Sequence, residues 1–187
     1  MTARRVLLIA GSLRTRSSSA AVLRTARSVA PPSITCVVYG GLARLPHFNP
    51  DDDGDRPPPG VAALRDEIHW ADAVMFSTPE YAGALPGSFK NLLDWTIGDD
   101  QPRSISEKPV AWINPSPRGA VRAHDSLRTV LGYANATVVE DACLTVPVTG
   151  DMIGDVGVIA DRSVRRQIRA ALVHLADPTG AAGTSPP

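Results

Sequence analysis

Short apolar runs alternate with amphipathic stretches along the whole of this chain. The runs contain many β-branched residues and resemble strands that are buried on both faces of a parallel sheet. The predicted strands cover residues 5–10, 33–39, 73–76, 108–114 and 136–146. Helices are predicted over residues 17–30, 61–70, 87–95, 121–131 and 163–176. Five strands that alternate with helices indicate an α/β fold with helices on both faces of the sheet.

The length of 187 residues suits one such domain, which we place at residues 1–176. Residues 177–187 are small, polar and rich in proline, so we expect a disordered tail. Lys plus Arg and Asp plus Glu balance at 19 each, which argues against a nucleic-acid partner. The first eleven residues are too short for a signal peptide, and no apolar run approaches the length of a membrane span. We therefore expect a cytoplasmic protein without a membrane partner.

Cysteine and histidine offer little chemistry in this sequence. Cys36 and Cys143 are the two cysteines, and both lie in apolar segments that read as strands, so we expect buried free thiols. The four histidines are scattered, without metal-ligand spacing, and we expect no metal site. They are His47, His69, His124 and His174.

The turn after the first strand is rich in hydroxyl and guanidinium groups. It contains Ser12, Arg14, Arg16, Ser17, Ser18 and Ser19, directly before a predicted helix. Hydroxyls, guanidiniums and the N–H groups of a helix N-terminus are what a phosphate monoester needs. Serines also cap helices without any ligand, so the turn alone leaves both interpretations open. One glycine follows the strand where a dinucleotide fingerprint has three, which favours a mononucleotide.

A second candidate loop follows the third strand. Pro79 ends that strand, since proline has no N–H for a sheet ladder. Glu80, Tyr81, Ala82 and Gly83 then form a tight turn before a helix that carries Phe89, Leu92, Leu93 and Trp95. A planar aromatic residue between strand and helix is typical of a ligand loop at the carboxyl end of a sheet. An ordinary connection with a surface tyrosine remains an alternative on this evidence.

The long connection over residues 40–60 contains three consecutive aspartates at 51–53 and three prolines at 57–59. A calcium loop is disfavoured, because Arg56 occupies the place where an EF-hand requires glycine. We expect a solvated loop. Connections of this length are often functional, so it is a candidate for a dimer contact or a lid over a substrate site.

The second loop also carries a family resemblance. Thr78-Pro79-Glu80-Tyr81, Pro86-Gly87, Lys90-Asn91 and Asp94-Trp95 resemble the signature of the NAD(P)H-dependent FMN reductases, which include azo, chromate and quinone reductases. Gly11, Ser12, Leu13, Arg14 and Ser17 match the first turn of that family. Two positions depart from it: Ser19 stands in place of an asparagine, and Ala82 stands where many relatives carry asparagine. Asn114 and the loop after it resemble the third flavin-contacting loop more loosely.

The resemblance implies a flavodoxin-like fold, a three-layer sandwich whose five-stranded parallel sheet has the order 2-1-3-4-5. In that order strands one and three are neighbours, so the serine turn and the Tyr81 loop converge on one crevice. The resemblance also implies FMN as cofactor and NADPH or NADH as co-substrate. The expected cofactor contacts are Ser12, Arg14, Ser17, Ser18, Ser19, Pro79, Glu80, Tyr81, Ala82, Gly83, Ser116, Pro117, Arg118 and Gly119.

These observations predict a reductase in which bound flavin carries the chemistry, so no catalytic protein nucleophile or acid–base pair is required. We expect reductant and a small electron acceptor, such as a quinone or azo compound, to use one ring face in turn, in a ping-pong mechanism. A flavodoxin-like electron carrier or regulatory flavin module without its own turnover is the main alternative, and a relative that no longer binds flavin is another. The resemblance and the apolar surface expected around Trp95 and the 40–60 loop also predict a homodimer or homotetramer.

Overall fold

A computed structural model of the protein describes residues 2–97 and 105–177. Its centre is a sheet of parallel strands. The second strand of the chain lies at one edge and is followed by the first, third, fourth and fifth, which confirms the predicted flavodoxin-like topology. The first five strands are connected in chain order through helices, as parallel pairing requires. The first four strands are β1 (Arg4–Ala10), β2 (Ile34–Val38), β3 (Ala73–Ser77) and β4 (Pro109–Asn114).

The single fifth strand predicted over residues 136–146 is wrong. Two short strands share that edge, β5 (Thr137–Val138) beside the start of β4 and β6 (Leu144–Thr145) beside its end. A 3₁₀ turn at Glu140–Ala142 separates them. Its two acidic residues face solvent, and Glu140 forms an ion pair with Arg128, so this stretch leaves the sheet instead of burying charge.

All five predicted helices are present within two residues of the expected bounds. They are α1 (Ser18–Val29), α2 (Pro59–Trp70), α3 (Gly87–Asp94), α4 (Val121–Tyr133) and α5 (Arg162–Ala176). Successive side chains of a strand point to opposite faces, and here they feed two separate cores. Leu7 and Phe76 pack with α2, α3 and α4, whereas Leu8 and Met75 pack with α1 and α5. These are the three layers of the predicted sandwich.

The 40–60 connection is fastened to α3 along part of its length. The Asn91 side chain accepts a hydrogen bond from the Phe48 N–H at 2.7 Å and donates one to the Pro46 carbonyl at 2.8 Å. The indole N–H of Trp95 donates to the same carbonyl at 2.9 Å, and the Phe48 ring lies edge-on to the Trp95 ring. Asn91 and Trp95, two residues of the family signature, thus hold this loop in place through side-chain hydrogen bonds.

This fastening corrects two expectations. Trp95 is fully buried within its own chain, so it offers no apolar surface to a second subunit. The acidic run is largely exposed, as expected of a solvated loop, but Asp53 is an exception. Its carboxylate lies 2.7 Å from the buried guanidinium of Arg65, which also bonds the Trp95 carbonyl. A segment held by these contacts does not have the freedom of a lid.

Several expectations lie wholly or partly outside the described residues. The predicted tail falls almost entirely at 178–187, and much of the polar break before β4 falls at 98–104. Within the described residues, no helix has the length and apolar character needed to cross a membrane.

Candidate functional site

Three loops leave the sheet at one edge, because β1, β3 and β4 are neighbouring parallel strands. Ala10 pairs with Ser77 at the ends of β1 and β3, and Phe76 pairs with Trp112 one strand further on. The loops run over residues 11–17, 78–86 and 115–120, and we call the surface that they form the loop edge. All fourteen residues predicted to contact the cofactor lie on these loops or in the first turn of α1.

The first two loops are in direct contact at Gly11. The Gly11 N–H donates to the Ser77 carbonyl at 2.8 Å, so the ladder between β1 and β3 extends into the loop. A Cβ atom on Gly11 would lie 2.6 Å from Thr78 Oγ1 and 2.7 Å from Phe89 Cγ. Only glycine fits such an approach without a shift of its neighbours. The convergence expected from the strand order is therefore confirmed at atomic contact.

The serine turn leads into the N-terminus of α1. Ser17 is the N-cap residue and is buried, yet its side chain makes no capping hydrogen bond. Ser19 is buried, Ser18 is half-buried, and the side chain of Arg14 is exposed beside them. The Arg14 N–H donates to Ser12 Oγ at 3.3 Å, which shapes the turn. The first N–H groups of a helix have no partner inside the helix. This end of α1 therefore offers hydrogen-bond donors at the positive end of the helix dipole.

The second loop is a hairpin-like turn. Tyr81 and Ala84 exchange two backbone hydrogen bonds of 3.0 Å, and the two residues between them both have positive φ, 50° at Ala82 and 75° at Gly83. Two central residues with positive φ define a type I′ turn, for which Asn-Gly is preferred. The turn holds Tyr81 at the surface with its side chain 46 % exposed.

The side chain of Glu80 joins this loop to the third one. Its Oε2 accepts a hydrogen bond from the Ala123 N–H at 3.1 Å, at the N-terminal turn of α4. A carboxylate at that end of a helix is stabilised by the N–H groups and the dipole. Glu80 is expected to face the cofactor through its backbone, and its carboxylate is engaged separately, at the N-terminus of α4.

The third loop is shaped by Asn114 and by two residues in the left-handed region. The Asn114 amide donates to the Gly119 carbonyl at 2.5 Å, and its oxygen accepts from the Ser116 N–H at 3.0 Å. Gly119 and Ala120 have φ values of 88° and 47°, which turn the chain into α4. Pro117 and Arg118 lie exposed at the tip of the loop.

Two polar residues at this edge escaped the sequence analysis as site candidates. Ser77, at the end of β3, has a buried hydroxyl without a hydrogen-bond partner in the described residues. His124 is buried, its Nδ1 lies 2.8 Å from the Ala120 carbonyl, and its Nε2 also lacks a partner there. Burial lowers the pKa of His124, so this imidazole is neutral at pH 7. A serine within a buried run carries no distinctive signal, and the partner of His124 is a backbone carbonyl, which the sequence does not reveal.

A large side chain with apolar surface is exposed on or directly after each of the three loops. Leu13 in the first loop is 57 % exposed, Tyr81 stands on the second, and Val121 after the third is 63 % exposed. Exposed apolar groups around a polar turn suit a ligand with a flat apolar part and an anionic part.

A parallel sheet of this order, with a helix N-terminus and two shaped loops at its switch point, defines a flavodoxin-like mononucleotide-binding protein. The family model described as NADPH-dependent FMN reductase matches residues 4–150. The chain belongs to this family, which confirms the resemblance seen in the sequence. It is accordingly an oxidoreductase that uses FMN and a nicotinamide nucleotide.

Individual relatives agree with this assignment. The chain is 34 % identical to an NAD(P)H-dependent FMN reductase of Pseudomonas aeruginosa over 69 % of this chain and 70 % of the relative. It is 35 % identical to a quinone reductase of Escherichia coli K12 over 71 % and 72 % of the two chains. Among solved structures, FerB, a flavoenzyme NAD(P)H:acceptor oxidoreductase of Paracoccus denitrificans, matches with a TM-score of 0.80 at 26 % identity and covers 93 % of this chain and 96 % of its own.

Proposed function

We propose that this protein reduces quinones, azo compounds or similar small planar acceptors with electrons from NADPH or NADH, and that its FMN lies across the loop edge. The observation that carries the proposal is the contact of Gly11 with Thr78, which brings the serine turn and the Tyr81 loop to one place. The name of the Escherichia coli relative, a quinone reductase, supports the choice of quinones as acceptors.

The phosphate of FMN would lie at the N-terminus of α1. Ser17 is buried there without a capping bond, so its hydroxyl is available together with the N–H groups of the first turn. Ser12, Ser18 and Ser19 would add hydroxyls, and Arg14 would add a charge-assisted bond. Ser19 replaces the asparagine of the family and keeps a donor, with a shorter reach.

The flavin ring would lie between the second and third loops. Backbone groups of Pro79, Glu80, Ala82 and Gly83 would face its polar edge, and Tyr81 would stack beside it. Ser116, Pro117, Arg118 and Gly119 would close the far side. The absence of an asparagine side chain at position 82 leaves backbone contacts unchanged, because the turn around Ala82 is formed by the main chain.

When bound, FMN supplies two-electron transfer between a nicotinamide and an acceptor. The chain's own groups bind and orient rather than attack. Burial raises the pKa of Cys36 and of Cys143 to about 11, so neither thiol is a nucleophile at neutral pH. The exposed apolar rim of Leu13, Tyr81 and Val121 offers one stacking surface, which reductant and acceptor would use in turn. An acceptor that binds mainly by stacking makes few specific hydrogen bonds, so the enzyme should accept a broad range of planar acceptors.

The same proposal includes a homodimer or homotetramer in the cytoplasm. Trp95 cannot contribute to the contact, but α4 presents Val121 at its start and Tyr133, 83 % exposed, at its end. An exposed tyrosine and valine on one helix support a subunit contact there. Light scattering at micromolar concentration should return two or four times the monomer mass of 19.7 kDa. A mass near that of the monomer would reject the proposed oligomer.

The test of the function begins with the absorbance spectrum of the purified protein, which should show flavin bands. Initial rates with varied NADPH and varied benzoquinone should then give parallel double-reciprocal lines. Flavin bands without turnover would indicate an electron carrier or regulatory module. Intersecting lines would reject the shared surface while leaving the reductase activity intact.

A further inference from the structure

A cavity of about 290 Å³ opens at the carboxyl end of β2, outside the three loops of the loop edge. Tyr39, Gly41 and Arg44 form one side of it, and α2 forms the other. Gly60, Ala63 and Glu67 lie three and four residues apart on α2, so they share the face that lines the cavity. The volume is at the lower end of small-molecule sites, which begin near roughly 300 Å³.

One end of the cavity contains a carboxylate oxygen that lacks a hydrogen-bond partner in the described residues. Glu67 Oε2 is buried and has no hydrogen-bond partner in the described residues, and burial raises the pKa of this carboxyl. Tyr39 is only 8 % exposed, and burial together with the charge of Glu67 raises its pKa to about 12, so its hydroxyl stays protonated. A buried carboxylate oxygen without a partner is costly, and a bound donor would remove that cost.

The cavity also contains a basic residue, Arg44, whose backbone lies next to the first turn of α2: a Cβ atom on Gly60 would lie 3.5 Å from the Arg44 carbonyl oxygen. Arg44 is exposed there and makes no ion pair within residues 2–97 and 105–177. Gly60 lies in the first turn of α2, where backbone N–H groups and the helix dipole attract anions. Val61 and Ala62 both donate to the Pro58 carbonyl, and Pro59 has no N–H, so the Gly60 N–H is the donor left for a ligand in this turn.

The separation of the two ends sets the length of a ligand. Gly60 and Glu67 are seven residues apart on α2, which corresponds to about 10 Å along the axis. The side chain of Glu67 leans toward the helix N-terminus, which shortens the gap to the span of a few methylene groups. Ala63 lies between them and presents a methyl group to such a chain.

We infer that this cavity binds a small zwitterion of the ω-amino carboxylate class. Its ammonium group would contact Glu67 and the Tyr39 hydroxyl, and its carboxylate would contact Arg44 and the Gly60 N–H. The methylene groups would pack against Ala63. A neutral ligand with separated charges fits a cavity that is lined by one acid and one base, whereas a simple anion or cation would leave one of them unmatched.

Isothermal titration with 4-aminobutanoate and 6-aminohexanoate tests the inference. We expect saturable binding of one of them, at least tenfold tighter than that of butanoate or butylamine, each of which lacks one of the two charges. No saturable binding, or equal binding of butanoate or butylamine, would overturn the inference.

Variants locate the binding in this cavity. Ala63→Leu should fill the space without harm to the helix, and Arg44→Gln should remove the charge at the exposed end; both should weaken binding at least tenfold. Ala62→Leu, on the same helix but outside the cavity lining, should change affinity less than twofold. Wild-type affinity in Arg44→Gln would reject the site. The titration should give the same affinity with FMN present, and competition by FMN would place the ligand at the loop edge and overturn the inference.

Discussion

Gly11 and Thr78 are so close that no side chain fits between them. A Cβ atom on Gly11 would lie 2.6 Å from Thr78 Oγ1 and 2.7 Å from Cγ of the Phe89 ring. The contact joins the serine turn after β1 to the loop after β3. The relative position of the two parts of the proposed FMN site therefore depends on the absence of one methyl group.

Gly11→Ala should separate the two loops. We expect the free energy of unfolding to fall by about 1–3 kcal/mol, as for other overpacked sites, and FMN affinity to fall with it. Urea unfolding and a fluorescence titration measure the two effects. Gly132→Ala is the control: nothing lies within 4 Å of a Cβ there, and alanine in an exposed helix should stabilise by about 0.5–1 kcal/mol. An equal loss in both variants would contradict the close contact at Gly11.

The strands and helices were predictable because each is a locally consistent pattern of apolar and polar positions. The short apolar run from Ala73 to Phe76, which Pro79 terminates, indicated an inner strand, and Ala73–Ser77 is buried throughout. The strand order came from the family resemblance, and the meeting of the first two loops followed from it. The prediction of one continuous fifth strand over residues 136–146 was wrong. Glu140 and Asp141 interrupt an otherwise apolar run, and the prediction treated that run as unbroken.

The parts that escaped prediction depend on contacts between distant residues. Trp95 reads as an apolar surface residue, yet Pro46 and Phe48 cover it from a loop almost 50 residues earlier. The Glu80 carboxylate binds a backbone N–H 43 residues away, and a backbone group has no signature in a sequence. The cavity beside Tyr39 and Glu67 is likewise formed by two separate segments.

Ala82→Asn should stabilise the protein. Ala82 has a φ of 50°, which is unfavourable for alanine and tolerated by asparagine. We expect a gain of about 0.5–1 kcal/mol in the free energy of unfolding without FMN. Ala84→Asn is the matched control, because Ala84 lies outside the positive-φ pair of the same turn. A gain of the same size at position 84 would show that the backbone conformation is not the cause.

Asn91→Ala should release the segment that covers Trp95. The substitution leaves the Phe48 N–H without its side-chain partner and removes one of the two side-chain donors to the Pro46 carbonyl, since Trp95 remains. The loss should cost about 1–3 kcal/mol in urea unfolding. Its neighbour Lys90 forms an exposed ion pair with Asp94 one helical turn away. Lys90→Ala should therefore cost at most about 0.5 kcal/mol. The fastening of the loop would be refuted if the two variants were equally stable.

Asp72→Asn should give a loss of stability that depends on pH. Asp72 accepts hydrogen bonds from the Arg5 N–H and guanidinium at 2.8 and 2.9 Å, and this lowers the pKa of its carboxyl below the ordinary 3.8. Because the folded pKa is lowered, the stabilisation is complete above 3.8 and is lost as the pH falls through the folded value. Both groups are partly exposed, so we expect about 1 kcal/mol near pH 7.

Unfolding of Asp72→Asn and wild type, followed from about pH 7 to about pH 2, checks this prediction, and the difference between them should shrink toward the acid end. Asp55→Asn, at an exposed position of the 40–60 connection, should match wild type throughout. A difference for Asp72→Asn that persists or grows in acid would contradict the assigned pKa direction.

Paired titrations with FMN and riboflavin test most directly whether the N-terminus of α1 holds the phosphate of FMN. Arg14→Ala should weaken FMN binding about 10- to 100-fold, the equivalent of about 1.5–3 kcal/mol for a charged hydrogen bond, and leave riboflavin affinity unchanged. Arg27→Ala removes the same charge at the opposite end of α1 and should leave both affinities unchanged. Equal losses of FMN and riboflavin in Arg14→Ala, or no loss of FMN, would contradict the claim.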